Sequence, residues 1–293
     1  MADGPILSDN KLTILAGNGK VPIDVARAAQ ENGIEVFVIC LGDEADPADF
    51  PSHQAERVAW GALGTLNKLL DKSGAQTLTL VGGIAKRPDL SAIRLDAGAV
   101  MALPKIVKLM AGGDESVLGK IARYFEGRGY RLLGAHEVAP SLLCREGLLG
   151  SVAVSPEARE DLVTACRGAG VAGQIDLGQA AISVNGRLVG LEGPEGTDGL
   201  LDRVAELRQR NKFTTSRKRH GVLAKRLRPG QDMRFDVPTI GPRTVEKAAR
   251  AGLEGIALEA GHVFLADRAG TLQAANDAGI FILGVTQEDM EGA

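Results

Sequence analysis

A chain of 293 residues, 44% hydrophobic and 24% charged, is long enough for two domains of common size, each with a well-buried core. Its net charge of -3 excludes a general polyanion binder, so no nucleic acid is expected as a partner, and aromatics at 3% leave a core of Ala, Leu, Val and Ile. Cys40, Cys144 and Cys166 are widely spaced and form no CxxC pair, which excludes a zinc knuckle or a disulfide framework and suits a reducing cytoplasm.

The N-terminus MADGPILSDNK lacks a signal pattern, and no apolar run approaches about 18 residues, so no membrane span is predicted. LTILA (Leu12–Ala16) is a short apolar strand, followed by GNGKVP and an Ala-rich helix through Asn32. IEVFVICL (Ile34–Leu41) is the next buried strand, completing a β–α–β unit that requires a parallel crossover. A helix near Gly64–Lys72, a strand over Thr77–Gly83 and a helix around Ala97–Met110 continue the pattern. A further helix, capped by Asp114 and ended at Gly129, leads to a strand in YRLLGAHEV. These elements predict an N-terminal Rossmann-like open parallel sheet over residues 1–150.

The pattern changes near Leu149–Ser155, and a polar helix within residues 151–170 reads as a linker. Beyond it, Asn185-Gly186 sits between two alternating apolar runs and predicts a hairpin. Residues 171–293 are therefore read as a second, mixed α/β domain, and the whole chain as α/β.

Three loops follow predicted strands of the first domain. Gly17, Asn18 and Gly19 in AGNGKVP lie where backbone N–H groups can approach a phosphate, although the third glycine of a dinucleotide fingerprint is missing. Gly83, Ile84, Lys86 and Arg87 belong to GGIAKRPD, and His136 to GAHE. A plain tight turn accounts for the first loop equally well, and a structural hydrogen bond for His136. Together the loops suggest a nucleotide-sized crevice at the carboxyl ends of the strands.

In the second half, Thr197 or Asp198 of PEGTDGLLDRV caps a helix, or Asp198 joins Glu195 and Asp236 around a hard cation. GVLAK is a strand ending at Lys225. GQDMRFDVPTIG places Asp236 after a short alternating segment, as a turn residue or as a carboxylate held for chemistry. A lysine with several acids fits phosphate-ester chemistry, in which magnesium neutralises charge and a carboxylate orients water. From Arg203 to Arg228 there are ten Lys or Arg and one acid, Glu206. Such a run is a solvated surface or a patch for phosphates or an anionic membrane. On residues alone, a nucleotide-sugar transferase and a non-enzymatic nucleotide-binding regulator remain as alternatives to a hydrolase.

The ordered set AGNGKVP, GGIAKRPDL, GGDES, GAHEV, DLGQ, EGTD, VLAK, QDMRFDVPTIG, AARAGLEGIALEAG and DAGIFILGV resembles the LpxI family, UDP-2,3-diacylglucosamine pyrophosphatases of lipid A biosynthesis. The likeness runs from about Leu12 to Val285, and DVPTIG and EGTD are its specific parts. It implies Mg²⁺-dependent hydrolysis to UMP and 2,3-diacylglucosamine 1-phosphate (lipid X), with water attacking the sugar-side phosphorus. Asp236 takes the position of the family's essential acid, and Asp232 falls outside the matched core. Gln179 of DLGQ, Thr197 of EGTD, Lys225 of VLAK and Thr239 of DVPTIG become expected substrate contacts.

The resemblance further implies substrate held between two linked domains and a homodimer. UMP is expected on the first-domain loops, and acyl chains on aliphatic grooves of the second domain. The basic run is the expected hold on the cytoplasmic face of the inner membrane. The chain departs from the family pattern at Ile84-Ala85 and at Asp202, where a basic residue is frequent.

Overall fold

The structure, a computed structural model, describes residues 7, 9–84, 96, 98, 117–213 and 219–291. Two units divide the chain, residues 1–141 with 233–236, and residues 142–232 with 237–293. The first boundary thus falls at 141/142, ahead of the expected 150, and a four-residue piece of the late sequence belongs to the first unit.

In the first unit, β1 (Lys11–Ala16), β2 (Glu35–Leu41), β3 (Gln54–Val58), β4 (Thr77–Val81) and β5 (Arg131–Leu132) form an all-parallel sheet in the order β3-β2-β1-β4-β5. Continuous apolar runs make β1 and β2 because both faces of a parallel strand are covered. β3, at the sheet edge, was not expected: QAERV carries too few apolar residues to announce a strand. α1 (Val21–Glu31) has Pro22 in its first turn and buries Val25, Ala26, Ala28 and Ala29. α2 (Leu63–Ser73) ends at Gly74 in the left-handed conformation, φ 63°. α3 (Val117–Glu126) packs Ala122 and Phe125 into a core with Phe37, Ile39, Leu70 and Leu78. A short helix, α4 (Ala135–Val138), follows β5. Of the helix expected around Ala97–Met110 only Gly98 is described, and it is helical; the Asp114 cap lies outside the described residues.

Because the strand order runs outward from β1 in one direction and from β4 in the other, the chain reverses between these two strands. Ligands of open α/β sheets bind at the carboxyl ends flanking such a switch point.

The second unit is built on a six-stranded mixed sheet. It contains β6 (Gly147–Leu149), β7 (Ala180–Val184), β8 (Arg187–Leu191), β9 (Val222–Lys225), β11 (Gly255–Glu259) and β13 (Phe281–Val285). The order is β6-β13-β11-β9-β7-β8, with β9, β11 and β13 parallel and the other three strands added antiparallel. A separate parallel pair joins β10 (Thr239–Ile240) to β12 (Phe264–Leu265). Alternation along the strands feeds two cores: Leu223, Ile256, Leu258 and Ile282 face one, and Val222, Ala224, Ala257 and Phe281 the other.

α5 (Ala158–Gln174) spans most of the segment expected to link two domains. Instead it belongs to the second unit, burying Ala158, Leu162, Ala165, Cys166, Ala169 and Ala172 beside β7 and β9. That stripe has helical spacing but consists mainly of alanine, so its apolar signal in the sequence is faint. α6 (Gly196–Gln209), α7 (Pro242–Arg250) and α8 (Arg268–Ala278) complete the unit together with α9 (Gln287–Glu291).

The predicted hairpin is present: Asn185 and Gly186 take φ values of 56° and 68°, as the turn requires. Asp161 of α5, only 1% exposed, clamps it. Its carboxylate accepts the Ser183 hydroxyl at 2.7 Å, Gly186 N–H at 2.8 Å and Asn185 N–H at 3.2 Å. Among the described residues, no helix is long and apolar enough to cross a membrane.

Candidate active site

At the switch point of the first unit, the loops after β1 and β4 are tied together. Gly17 N–H donates to the Val81 carbonyl at 2.9 Å, and Asn18 and Gly83 exchange bonds of 2.7 and 3.0 Å. A Cβ on Gly17 would meet the Gly83 carbonyl oxygen at 2.5 Å, so the close approach of the two backbones requires glycine there. Gly19 and Ile84 flank this bridge, whereas Lys86 and Arg87 lie outside the described residues. Beside the bridge opens an apolar cavity of about 340 Å³, reached by Gly17, Gly82 and Ile84 and walled by leucines and aromatic rings.

His136 makes a structural hydrogen bond, one of the two roles its position allows. Its Nδ1 lies 3.2 Å from the Met233 carbonyl, which it serves as donor, and Arg234 pairs with Glu126 at 3.4 Å. Phe235 packs against the first-unit core and lines the cavity. These contacts seat residues 233–236 in the first unit and leave Asp236 exposed. The segment before Asp236 is a turn, not the expected alternating strand; the strand comes after it, at Thr239–Ile240. Gly230, at φ 77°, and the turn at residues 233–235 break the extended pattern.

A polar cluster occupies the carboxyl edge of β8 and β9 in the second unit. Lys225 Nζ donates to Thr197 Oγ1 at 3.0 Å and to the Thr239 carbonyl at 2.9 Å. The Thr197 hydroxyl donates to Glu192 Oε1 at 2.9 Å, and Gln179 N–H donates to Glu192 Oε2 at 3.0 Å. Lys225, Glu192 and Thr197 are 6%, 6% and 9% exposed. A buried ammonium is tolerable here because a buried carboxylate stands one hydroxyl away and every link is hydrogen-bonded. Gln179 Oε1 is buried without a hydrogen-bond partner among the described residues. An acceptor left in that state is normally completed by water or ligand.

Sequence comparison bears on both sites at once. A profile of the LpxI N-terminal domain matches residues 11–142, and one of the LpxI C-terminal domain matches residues 145–283. UDP-2,3-diacylglucosamine pyrophosphatase LpxI of Caulobacter vibrioides is 37% identical over 279 residues, covering 95% of this chain and 99% of that protein. The chain belongs to the LpxI family. The two LpxI domain matches meet within a few residues of the structural boundary at 141/142.

Within this LpxI chain, four expected contacts converge: Gln179, Thr197, Lys225 and Thr239 form one cluster. Glu192, which completes it, was missed, because it precedes EGTD and reads as one more acid in a polar turn. The signal was its place at the end of the alternating run of β8.

The residues expected around a hard cation, Glu195, Asp198 and Asp236, are divided between the two units. Glu195 pairs with Arg203 at 2.8 Å, Asp198 with Arg243 at 2.8 Å, and Asp236 belongs to the other unit. Among the described residues, no group of three or more His, Cys, Asp or Glu could hold a metal ion. Glu195 is held below the usual carboxylate range by its own backbone N–H and by Arg203. Neither Thr197 nor Asp198 is the N-cap of α6; that position is Glu195, and no side chain caps it.

Asp202, the family departure, is bound on α7 by Lys247 and Arg250, and Lys247 lowers its pKa most. The basic run is likewise mostly engaged. Arg203, Arg210, Arg226 and Arg228 pair with Glu195, Glu206, Glu259 and Asp176, while Lys225 is buried and Arg208 donates to the His220 carbonyl. Among the described residues, these six side chains make separate local contacts. Burial pushes the thiol of Cys40 up to about 11 and those of Cys144 and Cys166 to about 12, which makes all three poor nucleophiles.

Proposed function

We propose that this chain hydrolyses UDP-2,3-diacylglucosamine to UMP and 2,3-diacylglucosamine 1-phosphate, a step of lipid A biosynthesis. Hydrolysis of a phosphoric anhydride follows from LpxI membership. The observation that supports the finer reading is the buried Lys225–Thr197–Glu192 cluster with its uncompleted acceptor on Gln179. Such a fixed cation suits the charge that builds up on a diphosphate as it is cleaved.

In this reading water adds to the sugar-side phosphorus, and the bond from that phosphorus to the bridging oxygen breaks. UMP leaves with the bridging oxygen, and lipid X keeps the oxygen from water. Asp236, exposed and seated by its neighbours, orients the water or receives its proton. Lys225 steadies the phosphate oxygens, and Thr197 and Glu192 keep Lys225 in place.

Mg²⁺ characteristically binds through one or two carboxylates and the substrate's own phosphates, and Asp236 is a donor of that kind. When bound it would neutralise diphosphate charge. The same reading takes the enzyme as a homodimer working at the cytoplasmic surface of the inner membrane.

Incubation with UDP-2,3-diacylglucosamine and Mg²⁺ in ¹⁸O-water tests it. Label is expected in lipid X. Label in UMP would reverse the site of attack, and release of UMP only in the presence of a sugar acceptor would turn the reading to a transferase.

A further inference from the structure

We propose that His136 is a positioning residue for Asp236: through the Met233 carbonyl, its imidazole fixes the turn that presents the carboxylate. The assignment rests on Asp236 serving the hydrolysis. An exposed side chain is held little by packing, so Asp236 takes its place from the backbone on either side of it. That place matters, because a misplacement of about 1 Å can cost about 10²-fold in rate.

After Asp236 the sequence supplies its own stiffness. Val237 stands before Pro238 and is thereby confined to extended backbone, and the proline ring fixes its own φ. Thr239 Oγ1 donates to the Val237 carbonyl at 2.9 Å, and the Pro238 carbonyl accepts Phe264 N–H at 2.8 Å. Before Asp236 the local sequence does the opposite. Gly230 takes φ 77°, and residues 233–235 form a turn outside any helix or strand. This stretch needs a hold from elsewhere in the chain.

The contacts that hold it differ in kind. Phe235 packs into an apolar core, which sets depth but is indifferent to direction. Arg234 reaches Glu126 at 3.4 Å and lies over the Phe235 ring at 5.3 Å, but both charged partners are exposed, and an exposed ion pair adds little. The bond from His136 Nδ1 to the Met233 carbonyl, 97 positions along the chain, is directional and grips the backbone of the turn itself.

His136 is in turn held. It is half-buried on α4, whose start is tied by Gly134 N–H donating to Glu137 Oε2 at 2.7 Å. A Cβ on Gly134 would come within 2.4 Å of His136 Nδ1 and 3.1 Å of the Arg234 Cα. Glycine there leaves the room in which ring and turn meet.

Turnover of UDP-2,3-diacylglucosamine with Mg²⁺ by His136→Ala, His136→Asn and Gly134→Ala, each checked for folding by circular dichroism, tests this. His136→Ala should lower kcat by about 10- to 10²-fold and leave KM and the Kd for UMP within about twofold of wild type. An asparagine amide can donate from close to where Nδ1 stands, so His136→Asn should recover most of the loss. Gly134→Ala should lower kcat in the same sense. Amide exchange over residues 233–236 should speed up in His136→Ala and slow again in His136→Asn. In an Asp236→Ala background, His136→Ala should cost nothing further, since it acts through that carboxylate.

A folded His136→Ala with wild-type kcat would overturn the proposal, as would an asparagine variant as slow as the alanine one. A loss confined to KM and the Kd for UMP would make His136 a nucleotide contact instead. An added loss in the Asp236→Ala background would give it a role of its own. Near-normal turnover by Asp236→Ala alone removes the reading of Asp236 and the proposal with it. An inactive Asp236→Ala beside a wild-type-like His136→Ala sinks the positioning role alone.

Discussion

In the first unit, the carboxyl ends of β1, β2 and β4 border a cavity of leucines and aromatic rings, whereas in the second the ends of β8 and β9 carry a closed network of lysine, threonine and glutamate. Both regions sit where α/β sheets present ligand sites, but they work by different physics. Burial of apolar area grows with contact and is indifferent to direction. A buried charge acts only on what stands at the right place, and it requires partners to be tolerated at all. The first region is suited to holding a substrate and the second to stabilising a charge that appears during reaction. Asp236 is the exception that couples them in sequence: it follows a residue of the cavity wall and precedes, by three positions, the Thr239 whose carbonyl receives Lys225.

Four experiments press on this division. Asp236→Ala should lower kcat by about 10³-fold or more while the protein still binds lipid X, as expected for a group needed chiefly in the transition state; near-normal turnover would remove Asp236 from the chemistry. Chelation of divalent cations should bring wild-type turnover to background and added Mg²⁺ should restore it. Full activity in chelator would leave the neutralising role to the protein's own cations.

Lys225→Met should lower kcat by about 10²-fold or more with a small change in the Kd for lipid X. An effect confined to binding would place the polar cluster on the holding side of the comparison. Asp161→Ala serves as the control, because its carboxylate clamps the Asn185-Gly186 turn at the opposite edge of the sheet from Lys225. It should destabilise the second unit by about 3 kcal/mol in chemical denaturation, through three donors left without an acceptor. Turnover per folded molecule should stay near wild type; a loss like that of Lys225→Met would show that the cluster depends on the whole sheet and not on its own contacts.

Much of the scaffold could be read from particular residues. LTILA and IEVFVICL announce parallel strands because both faces are buried, and Asn185-Gly186 announces its turn because both residues accept positive φ. The motifs carrying Thr197, Lys225, Asp236 and Thr239 stood out only through the resemblance to the LpxI family, since each residue taken alone reads as a cap, a strand end or a turn. QAERV was not legible, since an edge strand can stay polar, nor was the alanine face of α5, whose small side chains raise little apolar periodicity.

What the sequence by itself determined is the set of local choices: apolar runs, turn glycines and asparagines, and the family motifs that mark Asp236 and Lys225. Only the tertiary structure decided their company. It seated residues 233–236 in the first unit and closed Glu192 onto Thr197. It paired Glu195 and Asp198 with Arg203 and Arg243. It also walled the cavity with residues as far apart in the chain as Leu15 and Phe235. The physical reason is that strands and turns are set by neighbours along the chain, while partners for charges and walls for cavities are drawn from whatever the folded chain brings within a few ångströms.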